Sequence, residues 1–253
     1  LIFVRGLTAP GMWTMNIYET TRLRDEYLLF HYGSPEQIYS WPGGPREALG
    51  FPSRIVERFS TGEVERALDL GCAVGRSAFE MSRCANEVVA IDYSQGFVDT
   101  AKEMQSAGHC ELSRLEEGHC RKSVVVEPPA GTQPGRITFE QGDAMNLRPG
   151  LGSFGRVLAA NLLCRLSEPG RLLGRLPELV RSGGELILTT PCTWLEEFTP
   201  EARWPRGSTR DWLEGELREH FELLEEHDEP FLIRETARKF QWTVALLTKW
   251  RRR

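Results

Sequence analysis

Over residues 18–32 the apolar side chains Leu23, Tyr27, Leu28 and Phe30 fall at approximately helical spacing, and Gly33-Ser34-Pro35 stops the pattern. This predicts an amphipathic N-terminal helix. A loop rich in Pro and Gly follows (Trp41-Pro42-Gly43-Gly44-Pro45), then a second helix over 52–59 with Pro52 near its first turn. From Arg66 the pattern changes to short apolar runs alternating with helical stretches. Strands are expected over 66–70, 87–91, 136–141, 156–160, 185–190, 221–227 and 241–248. Helices are expected over 75–84, 95–107, 169–180 and 209–220. Strands alternating with helices signify an α/β chain whose sheet is mostly parallel and covered on both faces. Residues 1–60 then form an N-terminal helical cap and lid, and 61–253 the core. One stretch, 108–135, breaks the alternation with Gly118, Pro128, Pro129, Gly131 and Pro134 around Val124-Val125-Val126. It reads as an inserted hairpin or loop.

Composition narrows the functional classes. Of the 253 residues, 40% are hydrophobic and 26% charged, ordinary for a globular chain with a substantial core. The net charge of -5 argues against binding nucleic acid, which requires a basic face. The local basic run Lys249-Trp250-Arg251-Arg252-Arg253 reads as a solvated terminus without a function. Six cysteines are scattered without CxxC spacing, and no secretory leader is visible, so a reduced, cytoplasmic protein is expected. No apolar stretch approaches the roughly 20 residues of a membrane-spanning helix. The chain begins at Leu1, with Leu1 to Val4 apolar, as the downstream part of a longer polypeptide would. The insert repeats Gly-His-Cys at 108–110 and 118–120, but His-Cys pairs ten residues apart do not match metal-ligand spacings, and no metal is expected.

Three acidic signals carry the chemistry. In Asp69-Leu70-Gly71-Cys72-Ala73-Val74-Gly75 an apolar strand runs through glycines into a helix. Gly71 allows a sharp turn and Gly75 lets a ligand press on the main chain. The spacing departs from GxGxxG, which favours a sulfonium cofactor over a dinucleotide. About 20 residues on, Val88-Val89-Ala90-Ile91 ends at Asp92, followed by Tyr93, the place for a carboxylate that grips ribose hydroxyls. Then Gly142-Asp143-Ala144 ends a third strand, where the acid and nearby backbone can meet an adenine edge. Three such signals at the carboxyl ends of successive strands share one crevice.

These motifs resemble the class I methyltransferase superfamily over residues 54–190. The resemblance implies a Rossmann-like seven-stranded methyltransferase sheet with an N-terminal helical cap, and S-adenosylmethionine as cofactor. Asp69, Gly71, Cys72 and Gly75 form its first motif, Asp92 and Tyr93 the ribose end, and Gly142, Asp143 and Ala144 the adenine end. Asn161 begins the stretch in which the superfamily often contacts cofactor or substrate. Ala73 stands where many members have glycine. The Asn-Pro-Pro-Tyr motif of amide methylation is absent, and so is an acid-base pair, which an already nucleophilic acceptor does not need.

Further strings outside those motifs resemble a narrower family, the N-methyltransferases of ovothiol biosynthesis that act on the imidazole of 5-mercaptohistidine. They are 16–20 with 25–33, 193–200, and 230–242. The resemblance implies a small zwitterionic acceptor, its carboxylate held by Arg234, Arg238 and Lys239 and its ammonium by Glu235. It implies a lid lined by Tyr27, Tyr32 and Trp194, and His31 as catalytic proton acceptor. In that family the domain stands alone or follows a sulfoxide-synthase domain. Other readings remain open: methylation of another small amine, thiol or metalloid, a non-catalytic cofactor-binding module, or a nicotinamide-dependent oxidoreductase.

Overall fold

The computed structural model describes residues 17–253. The apolar start of the chain, Leu1 to Val4, and Asn16 lie outside them. The predicted first helix divides at Thr20, whose hydroxyl accepts from the Leu23 N–H at 3.3 Å and caps α1 (Thr21–Tyr32). A single 3-10 turn, Ile17–Glu19, precedes it. A Ser34/Gln37 capping box starts the short α2 (Pro35–Ile38), and left-handed Gly50 precedes α3 (Phe51–Glu57).

The core then runs β1 (Val64–Leu70), α4 (Arg76–Met81), β2 (Ala85–Asp92), α5 (Gln95–Ala107), β3 (Cys110–Glu117), β4 (Cys120–Val126), β5 (Ile137–Gln141), β6 (Phe154–Ala160), α6 (Pro169–Leu179), β7 (Val180–Thr190), α7 (Thr209–Leu217), β8 (Phe221–Arg234) and β9 (Phe240–Arg252). Seven strands form one sheet in the order β5-β2-β1-β6-β7-β9-β8, parallel except for the β9 pairings. Along β1, Ala67 packs into the core beneath α1, α4 and α5, while Leu68 and Leu70 pack with α6 and α7. Both faces are covered, so the central strands read as continuous apolar runs.

The insert is a hairpin, β3 paired with β4 as a separate two-stranded sheet, turning at Gly118-His119. Leu112, Val124 and Val126 bury its inner face. It braces α1: the Asp25 carboxylate accepts from the Ser113 N–H at 3.1 Å and Arg24 donates to the Glu111 carbonyl. The two Gly-His-Cys repeats lie at opposite ends of the hairpin, Cys110 buried and Cys120 exposed.

The C-terminal basic run corrects the sequence reading. Lys249 to Arg252 is the last part of β9, paired between β7 and β8, with Lys249 and Trp250 buried and Arg251 exposed. Lys249 is 4% exposed and its Nζ lies 3.2 Å from Glu185 and 3.5 Å from Glu225, and Trp250 is buried. Among the described residues no helix is long and apolar enough to cross a membrane.

Candidate functional site

Parallel strands that end side by side leave their carboxyl ends over one crevice. Here that crevice is a cavity of about 380 Å³, roofed by α1 and the loop after β7. Its walls include Asp69, Gly71 and Cys72 from the end of β1, Asp92 and Tyr93 from β2, Gly142, Asp143 and Ala144 after β5, and Asn161 after β6. The geometry brings nine of the ten expected cofactor residues to one cavity. The tenth, Gly75, stands behind the loop: its φ is +93°, and a Cβ there would lie 2.8 Å from the Phe139 ring, so it serves close packing and a left-handed turn.

The glycine loop is tied to its neighbours. Asp92 accepts from the Ala73 N–H at 2.8 Å and the Ser94 N–H at 2.9 Å, and the Gly142 N–H donates to the Asp92 carbonyl. Ala73 itself is left-handed, φ +47°, which accounts for glycine being suited to that place. Asn161 is left-handed too, φ +53°, and its side-chain oxygen accepts from the Thr189 hydroxyl. Asp143 accepts from the Met145 N–H at 2.8 Å.

Burial sets the ionisation of these groups. Asp69 is pushed up to about 7 by burial and by the Asp92 charge. Both its carboxylate oxygens are buried without a hydrogen-bond partner; the Ala78 amide is near enough to favour the charge but not at bonding geometry. Burial likewise raises Asp92 to about 6, against the N–H groups of Ser94 and Ala73. A buried carboxylate without a partner is costly unless a ligand supplies one.

The expected acceptor residues divide. Tyr27 and His31 line the cavity beside Tyr18, Phe97 and Phe198. Burial and nearby Arg76 lower His31 to about 3, so the ring is neutral, and its Nδ1 is buried without a partner. Tyr32 lies behind the cavity wall, its hydroxyl donating to the Val74 carbonyl at 2.8 Å, which ties α1 to the glycine loop. Trp194 packs edge-on against Trp212 and donates to the Thr209 hydroxyl, also off the wall. Arg234 and Glu235 line a different crevice, between α1 and the β3–β4 hairpin, with room for about one water. Arg234 pairs with Glu116 at 2.7 Å and Glu235 with Lys239 at 2.6 Å. Arg238 stacks on Trp41.

Sequence reasoning missed Tyr18, Arg165, Glu197 and Phe198 on the cavity wall. Tyr18, Glu197 and Phe198 fall inside the quoted family strings, and Arg165 lies in the stretch that Asn161 begins, so each had a signal in the sequence. Among the described residues no group of three or more His, Cys, Asp or Glu side chains is placed to hold a metal.

Residues 68–188 match the family described as a methyltransferase domain. Among solved structures, the chain is similar to the [4+2]-cyclase SpnF, at 18% identity over 93% of this chain and 94% of that one, with a TM-score of 0.60. The N-methyltransferase NodS from Bradyrhizobium japonicum WM9, in complex with S-adenosyl-L-homocysteine, is 13% identical over 90% of this chain and 98% of its own, with a TM-score of 0.53. A protein described as a putative methyltransferase from Bacillus halodurans C-125 gives 16% identity over 79% and 97%, with a TM-score of 0.52. These identities speak for the fold. No curated protein matches the chain.

Proposed function

We propose that this chain, a class I methyltransferase that uses S-adenosylmethionine, methylates a ring nitrogen of 5-mercaptohistidine to give ovothiol. One observation carries the choice of acceptor. The strings that resemble the mercaptohistidine N-methyltransferases lie far apart in sequence, yet each contributes to the same cavity: Tyr27 and His31, then Leu195 and Phe198, then Phe231 and Ile233.

The residues present suit the cofactor. The partnerless Asp69 carboxylate, at the end of β1, matches the ammonium of its methionyl part, and Asp92 retains acceptor capacity for ribose hydroxyls beyond its two backbone bonds. Asp143 and the backbone of Gly142 to Ala144 take the adenine side. When bound, the cofactor supplies a methyl group activated by its sulfonium charge.

On the acceptor side, Tyr18, Tyr27, Phe97 and Phe198 give flat apolar surfaces suited to a planar imidazole. His31, neutral well below neutral pH, orients that ring with one hydrogen bond and does not store its proton. A mercaptoimidazole is already nucleophilic, so alignment of the ring nitrogen with the methyl group supplies the rate, and the imidazole proton leaves to solvent. Of the cap and lid expected over residues 1–60, α1 and α3 cover the cavity in this reading. A sulfoxide synthase, on the same polypeptide or apart, is the source of the thiol-bearing ring, and a cytoplasmic setting keeps it reduced.

Competition assays test the proposal against other acceptors. With 5-mercaptohistidine, histidine, a simple thiol, a small amine and arsenite offered together, kcat/KM is expected to be highest for mercaptohistidine. A higher value for any other acceptor contradicts the reading.

A further inference from the structure

Among the described residues on the cavity wall, Asp69, Asp92, Asp143 and Glu197 are acids, and Arg165 is the one guanidinium or ammonium. It closes the 3-10 turn Leu163–Arg165 that follows β6. Its Nη1 donates to the Cys164 carbonyl at 2.8 Å and the Thr193 carbonyl at 3.3 Å, and the guanidinium carbon lies 4.7 Å from the centre of the Phe198 ring. Its charge also acts on the Tyr18 hydroxyl beside it. These contacts fix the plane of a half-buried cation, yet no carboxylate of the described residues lies within ion-pair distance of it. Such a group is stabilised once an anion arrives, and its fork suits a carboxylate.

The sheet order says which anion. Asp143 just after β5, and Asp92 and Asp69 at the ends of β2 and β1, stand on the first three strands of the sheet and in the proposed reading mark the run of the cofactor. Arg165 lies past them, after β6 and against the loop that follows β7, among Pro191, Leu195 and Phe198. We infer that Arg165 binds the carboxylate of the methyl acceptor, so the enzyme takes an imidazole amino acid in preference to its decarboxylated amine. This rests on the acceptor reading above and reassigns the carboxylate contact from Arg234 and Arg238, which lie outside the cavity.

The test compares acceptor pairs that differ only in the carboxylate, 5-mercaptohistidine with 5-mercaptohistamine and histidine with histamine. Wild type, Arg165→Gln and Arg165→Lys are assayed, and S-adenosylhomocysteine binding is measured by calorimetry for each. Wild type is expected to favour the carboxylated member by on the order of 10–100-fold in kcat/KM, the worth of a charged hydrogen-bonded pair. Arg165→Gln is expected to erase that preference through KM, with S-adenosylhomocysteine affinity kept, and Arg165→Lys to restore part of it. The inference is overturned if the wild type does not discriminate in any pair, a result independent of how well the variants fold. A preference that survives in Arg165→Gln overturns it too, as does a loss seen equally in S-adenosylhomocysteine affinity, which would assign Arg165 to the cofactor. Discrimination through Arg165 in the histidine pair, with mercaptohistidine left unmethylated, would sink the acceptor reading alone.

Discussion

Asp69 and His31 face one cavity with ionisation displaced in opposite senses, up to about 7 and down to about 3. The folded chain holds a proton on Asp69 that the unfolded chain releases near 3.8, so this group stabilises at low pH and its contribution is lost as pH rises through 7. His31 works the other way: its contribution is present above 6.5 and is lost as pH falls toward 3. Without cofactor, Asp69→Asn is therefore expected to gain ~2–4 kcal/mol over wild type between pH 4 and 8 in urea unfolding. His31→Gln is expected to remove the acid-side loss between 6.5 and 4. In the proposed reading, cofactor binding depends on the same carboxylate. An ammonium favours ionised Asp69, so S-adenosylhomocysteine affinity should rise from pH 6 to 8 in wild type and stay weak and flat in Asp69→Asn. A rise that persists in the variant would remove Asp69 from the cofactor site. At this scale the sequence was legible where spacing constrains chemistry: Asp69, Asp92 and Asp143 reach the cavity together. The charge states were not, because desolvation depends on what packs over each group.

Elements were legible where burial leaves a plain apolar pattern and obscure where charge interrupts it. The central strands appear as apolar runs because helices cover both faces. The β8–β9 pair runs well past the expected 221–227 and 241–248, to Phe221–Arg234 and Phe240–Arg252. Asp228, Glu229 and Pro230 mask the second half of the first strand, and the basic run masks the end of the second. Those charges answer one another across the fold. Lys249 faces Glu185 and Glu225, Glu185 accepts from the Ser60 N–H and hydroxyl, and Glu229 pairs with Arg54 at 2.7 Å and Arg58 at 3.4 Å, fastening α3 to β8. Removing one member leaves the other poorly solvated. Lys249→Met is expected to cost about 3 kcal/mol in chemical denaturation, near the low end for a buried pair because Ser60 still satisfies Glu185. A change within ±0.5 kcal/mol, as at an exposed site, would restore the solvated-tail reading.

Across the whole molecule, the carboxyl ends of the sheet strands floor the cavity, α1 and the β7–α7 loop roof it, and the β3–β4 hairpin braces α1. α1 is fastened from both sides, by Tyr32 and Arg76 to the glycine loop region and by Asp25 and Arg24 to the hairpin. The strand-helix alternation made the sheet readable from sequence. The partition of cations was not: Arg165 and Arg234 look alike in a string of letters, yet one faces the cavity and the other is neutralised by Glu116 on the hairpin. The central claim is methyl transfer to a ring nitrogen of 5-mercaptohistidine. Its most direct test is mass spectrometry with NMR assignment of the product formed by the purified chain from S-adenosylmethionine and 5-mercaptohistidine, with histidine in parallel. The account predicts one added methyl, on nitrogen and on the thiol-bearing ring. Methylation on sulfur, or no transfer to mercaptohistidine while the cofactor binds, would contradict it.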